Sequence, residues 1–205
     1  MSDRKREGDD VVSKHIPARA LRRVERGSPE LAEQLRRAVA ERDWMLARIC
    51  VDSQDAVSLC KELWSIIPDA DKPAALADAI STGDNPAREW AWLHKTLHQL
   101  HERGQRVFDG DTARAAYDAL PECVAIYRGT VEAEGEDYGV CWTLSRDKAE
   151  WFATKHGRFR NTRSAPVILE TNVLRDAICG LLLERNEREV LMWLGALETV
   201  TRSRL

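Results

Sequence analysis

The chain has 205 residues, of which 32% are charged and 43% hydrophobic, and its acidic and basic side chains nearly cancel to a formal charge of −3. That length supports one sizeable core or two small ones, and the balance neither demands nor excludes nucleic acid as a partner. No run approaches the ~20 apolar residues of a membrane span and the charged N-terminus lacks a signal-peptide stretch, so a cytoplasmic protein with no membrane partner is expected.

Residues 1–27 are rich in charge and poor in large apolar side chains, with Arg19, Arg22, Arg23 and Arg26 close together, and read as a flexible charged arm. Ser28 before Pro29 marks a helix start, an N-cap with proline at the first helical position. Leu31, Leu35, Ala38, Met45 and Ile49 then recur at helical spacing. Ser53 opens a second helix carrying Val57, Cys60 and Trp64, which Pro68 ends, and a third covers Lys72 to Ile80. Asn85 with Pro86 starts a fourth, whose Trp90, Leu93, Leu97 and Leu100 form a core stripe before Gly104 stops it. Asp111 caps a short fifth helix through Leu120.

From Pro121 the pattern changes to short β-rich runs: Val124 to Tyr127, Val140 to Thr143, Val167 to Thr171, Ile178 to Leu183, Glu189 to Trp193, and a final hairpin arm from Leu197 to Thr201. One amphipathic helix, Asp147 to about His156 with Ser145 as its N-cap, turns Ala149, Phe152 and Ala153 inward. The expected class is α+β: the arm over 1–27, a helical segment over 28–120, and a mixed, mainly β unit over 121–205.

Two features predict structure rather than chemistry. The five cysteines (Cys50, Cys60, Cys123, Cys141, Cys179) are odd in number and widely separated, which predicts reduced, mostly buried thiols, and no pair has metal-ligand spacing. His94, His98 and His101 occupy one helical face, but each follows a member of the core stripe by one position, about 100° round the helix. That places them at the boundary of the core and predicts no metal site.

Three ordered signals remain. Tyr127-Arg128-Gly129 closes the run that starts at Val124, Gly139-Val140-Cys141-Trp142-Thr143 leads into Ala149-Glu150-Trp151-Phe152-Ala153, and Glu187-Arg188-Glu189 opens the last apolar strand. A guanidinium grips phosphate through paired donors in one plane, and a glycine beside it lets backbone approach a ligand. Strand residues two apart share a face, so Glu187 and Glu189 would line one side of a site. Singly, each signal describes a surface arginine, a buried strand or a solvated carboxylate pair.

In this order the three signals resemble the catalytic half of the mono-ADP-ribosyltransferases, and are most similar to small bacterial and phage-type members of the arginine–serine–glutamate class with an E-x-E motif. The resemblance runs from about Pro121 to the C-terminus and covers nothing of residues 1–120. It implies an ADP-ribosyltransferase-like catalytic fold, NAD as substrate, no metal, and a macromolecular acceptor that is protein arginine or nucleic acid. A cognate inhibitor protein and a toxin or host–phage conflict role follow from the same likeness. It implies that Glu189 faces the nicotinamide ribose, that Glu187 positions or deprotonates the acceptor, and that Arg128, flanked by Tyr127 and Gly129, anchors the phosphates.

Counting back eight residues from Ala149 sets Cys141-Trp142-Thr143 on the family's Ser-Thr-Ser triplet. Cysteine then stands where the family has the serine that orients the glutamate, and Thr143 is the hydroxyl that can substitute. Thr143-Leu144-Ser145 is the alternative register, which takes Ser145 from its capping role. Trp142 and Phe152 are expected to line the nicotinamide pocket, and Arg185 and Asn186 to meet the acceptor from the loop before Glu187. Beside transfer stand two other readings, an NAD glycohydrolase with water as acceptor and an inactive binding module of the same fold.

Overall fold

The structure, a computed structural model, describes residues 16–84, 86–132, 138–155, 164–183 and 188–205. It is α+β, helical to residue 102 and then built on a seven-stranded mixed sheet. Two compact units divide the chain, Met1–Glu89 and Trp90–Leu205. The division falls at 89/90 rather than at the expected 120, because two helices and a short strand ahead of Pro121 belong with the sheet.

In the first unit, part of the expected arm is a helix. Helix α1 (Ala18–Glu25) buries Ala20 and Val24. Arg23 ties it down, donating from Nε (3.1 Å) and Nη2 (2.8 Å) to Glu62 and from Nη1 to Asp55 (2.6 Å). Its core face is made of small side chains among arginines, so it carries little apolar signal. Residues 1–15 of the arm lie outside the described residues. Helix α2 (Pro29–Glu41) starts as the sequence predicts, with Ser28 Oγ accepting from the Glu30 N–H at 3.2 Å. It does not run on to Ile49. Arg42 turns left-handed at φ 56°, and Asp43 caps a new helix α3 (Trp44–Arg48), accepting from the Leu46 N–H at 2.8 Å. The break carries Met45 and Ile49 off the core face, leaving them 66% and 48% exposed. Helix α4 (Ala56–Leu63) buries Val57 and Cys60, and α5 (Lys72–Thr82) buries Leu76 and Ile80.

In the second unit, α6 (Trp90–Glu102) buries its predicted stripe of Trp90, Leu93, Leu97 and Leu100. Strand β1 (Val107–Phe108) is too short to register in the sequence. Helix α7 (Asp111–Asp118) has Gly110, not Asp111, at its N-cap position. Then come β2 (Cys123–Val131), β3 (Cys141–Thr143), α8 (Arg146–Lys155), β4 (Pro166–Leu174), β5 (Gly180–Leu182), β6 (Glu189–Leu191) and β7 (Thr201–Arg204). Their order across the sheet is β1-β5-β6-β3-β2-β4-β7, antiparallel throughout except for β1 beside β5. The final strand lies beyond the expected arm of Leu197 to Thr201: β7 is polar, lacks hydrophobic alternation, and is fastened by Arg204 to Glu132 and by Arg202 to the Glu132 carbonyl at 3.0 Å.

The two faces of the sheet are covered differently. One carries the larger core, with Val124, Ile126, Trp142, Leu169, Leu181 and Val190. On the other, Ala149 and Ala153 of α8 pack on Ile168 and Tyr127. A Cβ on Gly129 would stand 1.9 Å from the Ala149 carbonyl oxygen, so this glycine admits the helix to the strand. Among the described residues no helix is long and apolar enough to cross a membrane.

Candidate active site

The sheet brings the three sequence signals onto adjacent strands. Tyr127 on β2 pairs with Thr143 on β3, Thr143 pairs with Glu189 on β6, and Glu189 pairs with Leu182 on β5. Directly opposed residues project to the same face, so Tyr127, Thr143 and Glu189 form one row at steps of about 4.8 Å. Cys141, two residues before Thr143, shares that face and pairs with Leu191.

Local geometry sets the row in place. Arg188 has a left-handed φ of 48°, which turns the chain into β6 just before Glu189, and its carbonyl accepts from the Leu144 N–H at 3.2 Å. Thr143 Oγ1 accepts from the Ser145 N–H at 3.1 Å, and Ser145 Oγ accepts from the Lys148 N–H at 3.3 Å. Ser145 is therefore the α8 cap, the role its place before the helix predicts. Glu189 is half-buried and Thr143 is buried.

Arg128 stands apart from that row. Next to Tyr127 on β2, it projects by alternation toward the face of Ile126 and Trp142. Strands β2 and β3 share the single pair Tyr127–Thr143, and beyond it the Arg128 Nη1 donates to the Cys141 carbonyl at 2.6 Å, side chain to backbone. The guanidinium carbon lies 5.0 Å from the Trp90 ring centroid, in cation–π range. Gly139, with φ +55°, completes the seat: a Cβ there would come within 2.7 Å of Arg128 Nη2 and 2.8 Å of Trp90 Cζ2. Sequence reasoning missed both Trp90 and Gly139 as site residues. Trp90 was legible only as a member of the α6 stripe, and Gly139 only as the lead into β3.

The other expected residues fall as follows. Trp142 is 2% exposed and belongs to the larger core, on the face opposite Thr143, so it offers no ring surface to a nicotinamide. Phe152 is half-buried on α8 with its ring edge-to-face to Trp151 at 5.1 Å. Gly129 is where the α8 backbone comes against β2. Glu187, Arg185 and Asn186 lie outside the described residues.

The histidine face of α6 is engaged with the segment after β6. His94 Nδ1 accepts from the Leu194 N–H at 3.0 Å, and the His98 ring lies 4.2 Å from that of Trp193. Burial, with Arg106 nearby, holds His101 below the usual imidazole pKa. Among the described residues no three His, Cys, Asp or Glu side chains group as a metal site. Cys60 and Cys179 are buried thiols pushed up to about 12 by desolvation, whereas Cys123 is exposed, against expectation, and Cys141 is half-buried. No protein-family model matches the chain, and no curated protein and no solved structure gives a significant match.

Proposed function

We propose that the chain is an NAD-dependent mono-ADP-ribosyltransferase whose Trp90–Leu205 unit is an ADP-ribosyltransferase-like catalytic domain. One observation carries the reading: three motifs distant in sequence, chosen for their order, lie on three adjacent strands, with Tyr127, Thr143 and Glu189 in register. A solvated carboxylate pair, a buried strand and a surface arginine that were unrelated would have no reason to share one.

In the proposed reaction the bond between C1′ of the ribose and the nicotinamide nitrogen breaks, and its electron pair leaves with neutral nicotinamide. The sugar becomes a cation resembling that of glycoside hydrolysis. The Glu189 carboxylate faces and stabilises it, with Thr143 and Cys141 on the same face of the adjoining strand. The acceptor then attacks C1′ and gives its proton to Glu187, which yields ADP-ribosyl acceptor, nicotinamide and one proton. Arg128, which projects from the other face of β2 beside the end of the β2–β3 pairing, would meet the phosphates of NAD.

Purified protein with labelled NAD and a cell lysate, separated into protein, nucleic acid and small-molecule fractions, tests the reading. Label on a macromolecule is the expected result and its fraction names the acceptor class. Free ADP-ribose alone would make the protein an NAD glycohydrolase. No nicotinamide release under any condition would leave an inactive module.

A further inference from the structure

We propose that Asp109 is a positioning residue for Glu189, acting through the end of β5; this rests on the transferase reading above. Strand β1 runs parallel to β5 with Val107 level with Gly180 and Phe108 level with Leu181. Asp109 directly follows β1, and Leu182, the residue paired with Glu189, directly follows Leu181 in β5. A carboxylate therefore stands on the side of β5 away from Glu189, close to the end of the strand that pairs with it.

That carboxylate is attached to the strand it adjoins. Asp109 Oδ2 accepts from the Leu183 N–H at 2.5 Å, a charge-assisted bond to the residue that follows β5. On the β1 side, directly after β5 ends, the Asp109 side chain supplies the partner of the Leu183 amide and so helps to fix where the strand stops. Asp109 is itself fixed on both sides. Before it, β1 approaches β5 so closely that a Cβ on Gly180 would stand 2.2 Å from the Val107 carbonyl oxygen. After it, Gly110 takes φ +154° with ψ −178°, a conformation reserved for glycine, and turns the chain directly into α7.

The consequence is mechanical. Leu182 and Glu189 share a ladder step, so play at the end of β5 is transmitted to the backbone that carries the Glu189 carboxylate. Catalytic groups displaced by about 1 Å lose up to about a hundredfold in rate, so a side chain with no contact to substrate can matter to turnover.

The test compares Asp109→Ala with Asp109→Asn in the full chain, following nicotinamide release and amide hydrogen exchange. For Asp109→Ala the expected result is faster exchange at Leu183 and Glu189 and unchanged exchange in β2 and β4. Its kcat should fall by about tenfold or more with KM for NAD within about twofold. Asp109→Asn keeps an uncharged acceptor in the same place and should recover most of both losses. Unchanged exchange at Leu183 and Glu189 in Asp109→Ala would overturn the proposal, as would faster exchange with full turnover. If the wild-type chain releases no nicotinamide, the transferase reading fails and the catalytic half of this proposal with it. The exchange comparison still decides whether Asp109 holds the strand.

Discussion

Two part-buried arginines, one in each unit, are held in contrasting ways. Arg23 in the first unit bonds Glu62 twice and Asp55 once, and its side chain and that of Glu62 are only 13% and 7% exposed. The Glu62 hydrogen bonds hold its guanidinium above the ordinary arginine pKa. Arg128 in the second unit rests against an indole face and a glycine and donates to a backbone carbonyl. The first arrangement cross-links α1 to α4. The second fixes the direction of a guanidinium at a point where two strands part. Arginine content alone says nothing of this difference, which lies in the groups that surround each side chain and in what its removal would disturb.

The sharpest contrast should come from a carboxylate in the proposed site. Glu189→Gln keeps the shape but removes the charge facing the sugar cation, so nicotinamide release should drop about 100- to 10,000-fold. The urea midpoint should stay near that of wild type. Release within a few-fold of wild type would move the catalytic carboxylate elsewhere and leave the cross-strand row without a function.

Arg23→Ala should behave in the opposite sense. It leaves Glu62 buried with, among the described residues, Arg19 to balance it, whose Nε lies 2.9 Å away on a 75% exposed side chain. Removing one partner of a buried pair costs about 3 kcal/mol or more, read as a lower urea midpoint for the first unit. Arg19→Ala, by comparison, should cost under about 1 kcal/mol, as exposed pairs do. Equal losses for the two would mean that exposure does not set the value of these bridges.

How much of this was legible in the sequence follows from the range of the forces involved. Local signals read well: the Ser28–Pro29 start, the α6 stripe and the Ser145 cap each depend on residues within one or two turns. Helix α1 was hidden because Ala20 and Val24 bury little area, and the break at Arg42–Asp43 because Met45 and Ile49 keep helical spacing after the helix has ended. Strand β7 was displaced in the reading because a polar edge strand carries no alternation. For the site, the order of Arg128, Cys141-Trp142-Thr143 and Glu189 was visible, but register is not, since a one-residue slip would turn every side chain to the other face. The pairing of Tyr127 with Thr143 and Glu189 therefore had to come from the structure, as did the seat that Trp90 and Gly139 make for Arg128.

Gly139→Ala sharpens the comparison without touching either arginine. The new Cβ meets Arg128 Nη2 and Trp90 and the residue must hold φ +55°, so the guanidinium has to shift. A left-handed alanine costs about 1–2 kcal/mol in stability. If Arg128 meets the phosphates, KM for NAD should also rise about tenfold, the loss of one charge-assisted hydrogen bond. A destabilised protein with an unchanged KM would make Arg128 a second structural arginine, like Arg23, and end the contrast.

The smallest expected effect concerns two cysteines in the second unit. Cys141 is half-buried on the face of Thr143 and Glu189, and its contact with Arg128 is made by its carbonyl, which substitution leaves in place. Cys141→Ser exchanges a weak thiol donor for a hydroxyl of similar shape, so turnover should stay within about threefold of wild type or rise. Cys179 is 1% exposed, and its thiol is pushed up to about 12 by burial. Cys179→Ser puts a hydroxyl into an apolar site and should cost about 1–3 kcal/mol of stability while sparing turnover in the molecules that remain folded. The pair separates chemistry from packing with one substitution at two depths. Should Cys141→Ser abolish nicotinamide release in a protein that still folds, the thiol itself takes part, and a hydroxyl at this position is not what orients Glu189.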